Sequence, residues 1–141
     1  MSFQWKDFLT LAENLYQNVA SIQPEEANYR TAINRAYYAV HNASREYLVN
    51  YYKENFNTKD SIHVQVIDKL NNKSDRKEKW ISKKLDHLRW DRKQVDYELN
   101  PRIERNPPGS MNIRKQVEFD IRRANTIFNH LAELIQSHTN T

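Results

Sequence analysis

The longest uninterrupted pattern in the sequence is the helical repeat that follows Pro24. Proline is tolerated in the first turn of a helix, and the carboxylates of Glu25 and Glu26 favour the positive end of the helix dipole. No glycine or proline breaks the pattern before about Phe56. The segment therefore predicts one helix of roughly 30 residues, about 45 Å long. Its apolar face consists of residues three or four apart: Tyr29, Ile33, Ala36, Val40, Ala43, Tyr47 and Tyr51.

Three further segments carry the same helical spacing. The first covers residues 3–22, and a short third helix is expected after a cap at Thr58 or Asp60. A fourth helix is expected to open at Asp75, which forms a capping-box pattern with Glu78 three residues later. These signals predict separate helices before and after the long one.

The segment 100–110 is the expected loop before a last helix. It contains three of the four prolines and the only glycine, and these residues interrupt regular structure. A fifth helix is expected from about Asn112 to Ser137, while an all-β protein would need many more turn residues. The sequence therefore predicts an all-α fold, an antiparallel up-and-down bundle of four to five helices. It forms a single domain over residues 1–141, with the second, fourth and fifth helices at its core.

Composition excludes several classes of protein. The chain has no cysteine, so disulfides and thiolate metal sites are excluded. It lacks the spaced histidine pairs of zinc enzymes, a glycine-rich phosphate loop and a GxSxG nucleophile motif, so neither a metal nor a cofactor is expected. No apolar run approaches the roughly 18 residues of a membrane span, and the first residues contain no signal-peptide core. We expect a cytoplasmic protein without membrane contact.

Arg92 occupies a position of the fourth helix where the pattern calls for an apolar residue. An arginine at a core position must be paired or must line a site, because an unpaired buried charge is very costly. Arg89 lies one turn earlier and Asp96 one turn later, so the partners are expected to be local. We therefore expect a polar cluster in the middle of the bundle. The apolar stripe around it is Ile81, Leu85, Leu88, Val95 and Leu99.

Positive charge is concentrated in residues 69–93. This segment carries ten basic and four acidic side chains, while the whole chain has a net charge of +4. Such a segment suits a polyanion such as RNA, and Lys83 and Lys84 are candidate contacts. The alternative is a solvated helix face that is rich in lysine.

The long second helix holds a second group of candidate residues. At 100° per residue, Arg35, Tyr38 and Asn42 share one face of the helix, whereas His41 lies roughly 120° away from Arg35. Arg35 and His41 can therefore act on one ligand only in two ways. Either the ligand bridges two faces of the helix, or a second subunit supplies one of the two residues.

Taken together, three segments resemble the HEPN superfamily. They are RAYYAVHNASREYL in the second helix, SIHVQVIDKL in the third and LRWDRKQVDYEL in the fourth. The common prokaryotic branch carries Arg-Ala-Tyr-Tyr-Ala, then a histidine opening the next helix, then Leu-Arg-x-x-Arg-x-x-x-Asp-Tyr. The resemblance covers residues 3 to about 135. The matching positions are 35–39, His63, Leu88, Arg89, Arg92, Asp96 and Tyr97.

The resemblance implies an RNA-targeting protein of a toxin–antitoxin, phage-defence or stress module, usually a homodimer and often paired with a nucleotidyltransferase. Catalytic members cleave RNA without metal through an Arg-x(4–6)-His motif that two protomers share. Their histidine moves protons and their arginine stabilises the charge of the phosphorane. On this basis Arg35, His41 and His63 are the candidate catalytic residues. The RNA-binding or supporting residues would be Tyr38, Asn42, Arg89, Arg92, Asp96 and Tyr97, the last two orienting the arginines.

Two positions of the chain differ from the catalytic pattern. Arg92 is followed five residues later by Tyr97 rather than histidine, and the position of the second helix that commonly holds histidine is Asn42, with His41 one residue earlier. A second interpretation therefore stays open, a non-catalytic binding and dimerisation module that docks a nucleotidyltransferase, an antitoxin or another protein. In that case Arg35, Arg92 and their neighbours fix the helix register. Simple nucleotide binding in the polar cleft is a third.

Overall fold

The computed structural model describes residues 3–99, 101 and 112–140. Within these ranges the chain forms α-helices and no β-strand, which confirms the predicted all-α bundle. The predicted loop at 100–110 lies outside the described residues except for Pro101. The helices are α1 (Lys6–Gln17), α2 (Glu25–Tyr52), α3 (Ile62–Asn71), α4 (Arg76–Tyr97) and α5 (Ile113–Thr139).

Helix α2 is the centre of the bundle, because it packs against each of the other four helices. Its predicted apolar face is buried at Tyr29, Ile33, Ala36, Val40 and Tyr47. Contact on several sides also buries residues outside that face, among them Tyr37, Ala39 and Leu48. The apolar stripe in the sequence therefore identified one buried side of α2, although the helix is buried on more than one side.

The helix ends follow local backbone chemistry. Helix α2 stops before the predicted Phe56, because Lys53 adopts a left-handed conformation (φ 56°) that closes the helix. The cap of α3 is Ser61 rather than Thr58 or Asp60, and its side chain accepts a hydrogen bond from the Val64 amide. The first helix is shorter at both ends than the predicted 3–22.

The predicted capping box of α4 is only half correct. Asp75 does cap the helix, accepting a hydrogen bond of 2.7 Å from the Lys77 amide. Glu78, however, is buried and points into the core, where its Oε2 accepts hydrogen bonds from the hydroxyls of Tyr47 (2.7 Å) and Tyr52 (2.6 Å). Glu78 therefore accepts two hydrogen bonds from tyrosines of α2 instead of bonding back to the start of its own helix.

The predicted stripe of α4 is buried from Ile81 to Val95, with Arg92 among its members. Leu99 is 87% exposed instead, because α4 ends at Tyr97 and the stripe ends with it. The fold also contains a buried polar contact that the apolar patterns did not indicate. Gln116 Nε2 donates hydrogen bonds of 2.9 Å to Asp91 on α4 and to Asp120 on α5.

Candidate functional site

A cluster of aromatic and basic side chains lies where α2, α3 and α4 meet. His41 of α2 and His63 of α3 are stacked, with ring centroids 4.3 Å apart and planes inclined by 28°. Tyr37, one turn before His41, stacks on both rings with centroids 5.6 Å away. The Tyr37 hydroxyl oxygen is 2.5 Å from His63 Nδ1, a hydrogen bond that fixes the imidazole and leaves Nε2 for another partner.

Arg92 of α4 adds a cation to this cluster and lies over two of its tyrosine rings. Its guanidinium carbon lies 5.3 Å from the ring centroid of Tyr37 and 5.5 Å from that of Tyr38. Its Nη1 is 3.6 Å from the nearer carboxylate oxygen of Asp96, and the Arg92 side chain is only 7% exposed. The Arg92 Nε has no hydrogen-bond partner among the described residues. Arg92 is therefore a buried cation whose charge is compensated only in part.

The two histidines are neutral at pH 7. Burial lowers the pKa of His41 to about 3, and the charges of His63, Arg45, Arg92 and Arg89 act in the same direction. Burial also lowers the pKa of His63 to about 4, with help from Arg92 and Arg89. Because part of each shift comes from nearby cations, an anion bound beside the arginines raises both pKa values again.

Arg35 reaches the cluster through an aromatic ring. Its guanidinium carbon lies 4.7 Å from the ring centroid of Phe8 and 5.4 Å from that of Tyr38. Tyr38 also makes an edge-on contact with His41, with ring centroids 6.3 Å apart. Arg35 and His41 lie on different faces of α2, and the Tyr38 ring of the same chain contacts both of them.

Two hydrogen bonds and one ion pair link the two arginines across the helices. Arg35 Nε donates to Asn34 Oδ1 at 2.8 Å, and Asn34 Nδ2 donates to Asp96 Oδ2 at 2.9 Å. The same carboxylate oxygen of Asp96 is the one that approaches Arg92. Asp96 therefore has one hydrogen bond that does not involve Arg92. Neither Asn34 nor Tyr37 was a candidate from the sequence, although Tyr37 lies one helical turn before His41.

Of the remaining predicted residues, Arg89 and Tyr97 lie near the cluster and Asn42 does not contact it. Arg89 lies one turn before Arg92 on α4, acts on the pKa of both histidines, and has a buried Nε without a hydrogen-bond partner among the described residues. Tyr97 lies at the end of α4, with its ring centroid 5.9 Å from the guanidinium carbon of Arg92. Asn42 is half-buried, and no described contact joins it to the cluster.

The basic segment 69–93 does not form one continuous face. Lys69 and Lys73 both pair with Glu54, at 3.0 and 2.6 Å. Lys83 is exposed, and Lys84 lies over Trp80, with its Nζ 5.6 Å from the ring centroid. Burial and the charge of Arg123 on α5 lower the pKa of Lys84. Neither Lys83 nor Lys84 has a described contact with the cluster that contains Arg92, His41 and His63.

Comparison with known proteins adds no relative. No family model, curated protein or solved structure matches the chain. In the part of the chain that the structure describes, no three histidine or acidic side chains converge as metal ligands. The helices described here include none with the length and apolar character of a membrane span. The functional argument therefore depends on the geometry of the cluster itself.

Proposed function

We propose that this chain is an RNA-directed protein of the HEPN type, belonging to a toxin–antitoxin, defence or stress module. The observation that carries the proposal is the incompletely compensated Arg92 guanidinium, 7% exposed and 3.6 Å from Asp96. A phosphate oxyanion matches the planar donor fork of arginine and supplies the short, charge-assisted hydrogen bonds that Asp96 does not provide. Arg89 adds a second positive charge one turn away. A phosphodiester group of RNA is an anion that this arrangement suits.

We further propose that the cluster cleaves RNA without a metal ion. In the tautomer whose Nδ1–H donates to the Tyr37 hydroxyl oxygen, His63 Nε2 accepts the proton of the ribose 2′-hydroxyl. The 2′-oxygen attacks phosphorus, the bond to the 5′-oxygen breaks, and the leaving oxygen takes the proton back from the imidazolium. Arg92 stabilises the charge of the phosphorane. Binding of the phosphate cancels the nearby positive charge and moves the pKa of His63 upward, where a base acts more effectively at neutral pH.

The non-catalytic module is the second candidate, and the burial of His41 favours it. His41 is 5% exposed, and its pKa of about 3 leaves no proton to donate at neutral pH. In this version the cluster fixes α2, α3 and α4 in register, and the chain forms a homodimer that docks a nucleotidyltransferase, an antitoxin or another protein. Light scattering tests the dimer, for which we expect about twice the chain mass of 17.0 kDa.

The deciding experiment measures cleavage and binding of a labelled RNA in the presence of EDTA. We expect cleavage to persist in EDTA and to fall by about two to four orders of magnitude in His63→Ala, with a comparable loss in Arg92→Lys. His41→Ala and Arg35→Ala test the other two candidate catalytic residues. His130→Ala is the matched control, because His130 lies against Trp80 away from the cluster.

Three outcomes separate the candidates. Cleavage lost with binding retained in His63→Ala supports the ribonuclease. Binding of RNA by the parent protein without any cleavage supports the module. If the parent neither binds nor cleaves RNA at any salt concentration, RNA is removed from the account and a protein-docking bundle remains.

A further inference from the structure

Tyr97 differs from every other tyrosine of this chain in its exposure. All eight tyrosines are among the described residues, and Tyr97 alone is exposed, at 72%. It is the last residue of α4, and its ring centroid lies 5.9 Å from the guanidinium carbon of Arg92. The other two rings that contact this guanidinium, Tyr37 and Tyr38, are buried and half-buried. The buried cation thus has one aromatic neighbour that is open to solvent.

The backbone beneath Tyr97 is fixed, although its ring is in water. The last carbonyls of a helix have no partners within the helix, and its final turn commonly frays. Here Arg30 of α2 donates from Nη1 to the carbonyl oxygens of Val95 (2.9 Å) and Glu98 (2.8 Å), and from Nη2 to that of Leu99 (3.0 Å). The positive charge of Arg30 also opposes the negative end of the α4 dipole. We call this three-bond contact the Arg30 clamp.

A clamped, exposed aromatic ring beside a buried guanidinium is suited to a ligand with two parts. The guanidinium binds an anionic group, and the free face of the ring covers a planar one. Stacking of a nucleobase on an aromatic side chain contributes substantially to affinity and tolerates any base, since every base has a π-face. Because the clamp orders the backbone before the ligand arrives, little backbone conformational entropy remains to be lost on binding.

We infer that Tyr97 is the nucleobase-stacking surface of this site, so that its ligand carries an unpaired base next to the phosphate that Arg92 binds. The inference rests on the proposed function, because it takes Arg92 as a phosphate-binding residue. A base within a duplex is stacked between its neighbours and does not present a free face to a side chain. The inference gives Tyr97 a direct contact with the ligand, in place of the orienting role that the sequence resemblance implies.

The test compares two probes that share a phosphate and differ in the base. Adenosine 5′-monophosphate and ribose 5-phosphate are titrated separately into the parent protein, Tyr97→Ala and Tyr97→Phe, with binding followed by NMR shifts of the His63 ring. We expect the parent to bind the nucleotide about tenfold more tightly than ribose 5-phosphate. Tyr97→Ala should remove that preference and leave the affinity for ribose 5-phosphate unchanged, while Tyr97→Phe should keep the preference.

Leu99→Ala is the matched control. Leu99 is 87% exposed two residues beyond Tyr97, and the substitution keeps the carbonyl that Arg30 binds. We expect it to retain the full preference for the nucleotide. A preference lost equally in Leu99→Ala and Tyr97→Ala would attribute the effect to the helix end rather than to the ring, and would overturn the inference.

The remaining outcomes separate the inference from the proposed function. If both probes bind the parent with equal affinity, and Arg92→Met abolishes both, the phosphate site stands and the role of Tyr97 is wrong. The role of Tyr97 is also wrong if Tyr97→Ala weakens both probes equally. If neither probe binds the parent protein, Arg92 is not a phosphate-binding residue, and the proposed function and this inference fall together.

Discussion

His41 and His63 are stacked with ring centroids 4.3 Å apart, although they belong to different helices. Each ring is packed against Tyr37, and each has its pKa lowered chiefly by burial and further by Arg92 and Arg89. A proton on either ring would place a cation next to the other imidazole and next to a guanidinium. The stack therefore belongs to a folded state in which both histidines are neutral.

The stacked pair predicts a loss of stability in mild acid. An unfolded histidine has a pKa near 6.5, whereas the pKa is about 3 for folded His41 and about 4 for folded His63. As pH falls from 6.5 toward 4, the unfolded state binds protons that the folded state does not bind, so the free energy of unfolding decreases. The slope is about 1.4 kcal/mol per pH unit for each histidine. Urea denaturation at several pH values measures it.

His41→Phe isolates the contribution of one ring, because phenylalanine preserves the stack and does not titrate. We expect the variant to lose less stability than the parent between pH 6.5 and 4.5. Equal slopes for the two proteins would show that His41 is accessible to protons in the folded state, contrary to its burial.

Arg92→Met separates stability from ligand binding. Asp96 is exposed and keeps its hydrogen bond from Asn34, so replacing Arg92 by an apolar side chain of similar length leaves no buried, unpaired carboxylate. We expect the free energy of unfolding to stay within about 1 kcal/mol of the parent, whereas Arg92→Ala leaves a cavity among the tyrosines and costs about 3 kcal/mol. Both variants should lose phosphate binding, measured by titration. Retained binding in Arg92→Met would contradict the assignment of Arg92.

Asp120→Asn should stabilise the protein at neutral pH. Complete burial and the neighbouring Asp91 raise the pKa of Asp120 well above its usual range. Unfolding at neutral pH therefore releases a proton, and stability decreases as pH rises from about 4 toward the folded pKa. Asparagine keeps the acceptor for Gln116, needs no proton, and should add about 1 kcal/mol at pH 7 and nothing near pH 4. Thermal denaturation at both pH values checks this, with exposed Asp68→Asn as the control.

Glu78→Gln tests the buried acceptor of two tyrosine hydroxyls. An amide oxygen accepts hydrogen bonds more weakly than a carboxylate, so we expect a loss of about 1–3 kcal/mol. Burial, followed by the hydrogen bond to Glu78, raises the pKa of Tyr52 to about 12. The variant should lower this pKa. Ultraviolet titration of tyrosinate follows that change. The exposed carboxylate variant Glu133→Gln should leave the titration curve as it is in the parent protein.

The Arg30 clamp predicts local rather than global protection of α4. In Arg30→Ala we expect amide hydrogen exchange to accelerate at least tenfold in residues 95–99, with little change in the first turns of the helix. Arg30→Lys should be intermediate, because one ammonium does not reproduce a fork that reaches three carbonyls. Arg122→Ala removes an equal charge from the exposed face of α5 and serves as the control. Uniform acceleration along α4 would show that Arg30 acts on the whole fold.

Features set by short stretches of chain were predictable from the sequence. Asp75 caps α4 where the pattern places it, because a cap bonds to amides only two or three residues away, and α5 begins at Ile113, next to the predicted start at Asn112. Arg92 is buried where the apolar stripe of α4 requires it, because helical periodicity alone defines that face. The presence of a polar cluster on that stripe followed from the same spacing.

Tertiary structure alone decided which side chains from distant parts of the sequence are in contact. Glu78 turns inward because α2 brings two hydroxyls to it, and His63 meets Tyr37 only because α3 packs beside α2. Leu99 lies in solvent because α4 ends two residues earlier, where Arg30, 69 residues away in sequence, binds the Leu99 carbonyl. Periodicity and capping depend on neighbours within one or two turns. Partners depend on which helices lie side by side, and that is fixed by the packing of the whole core.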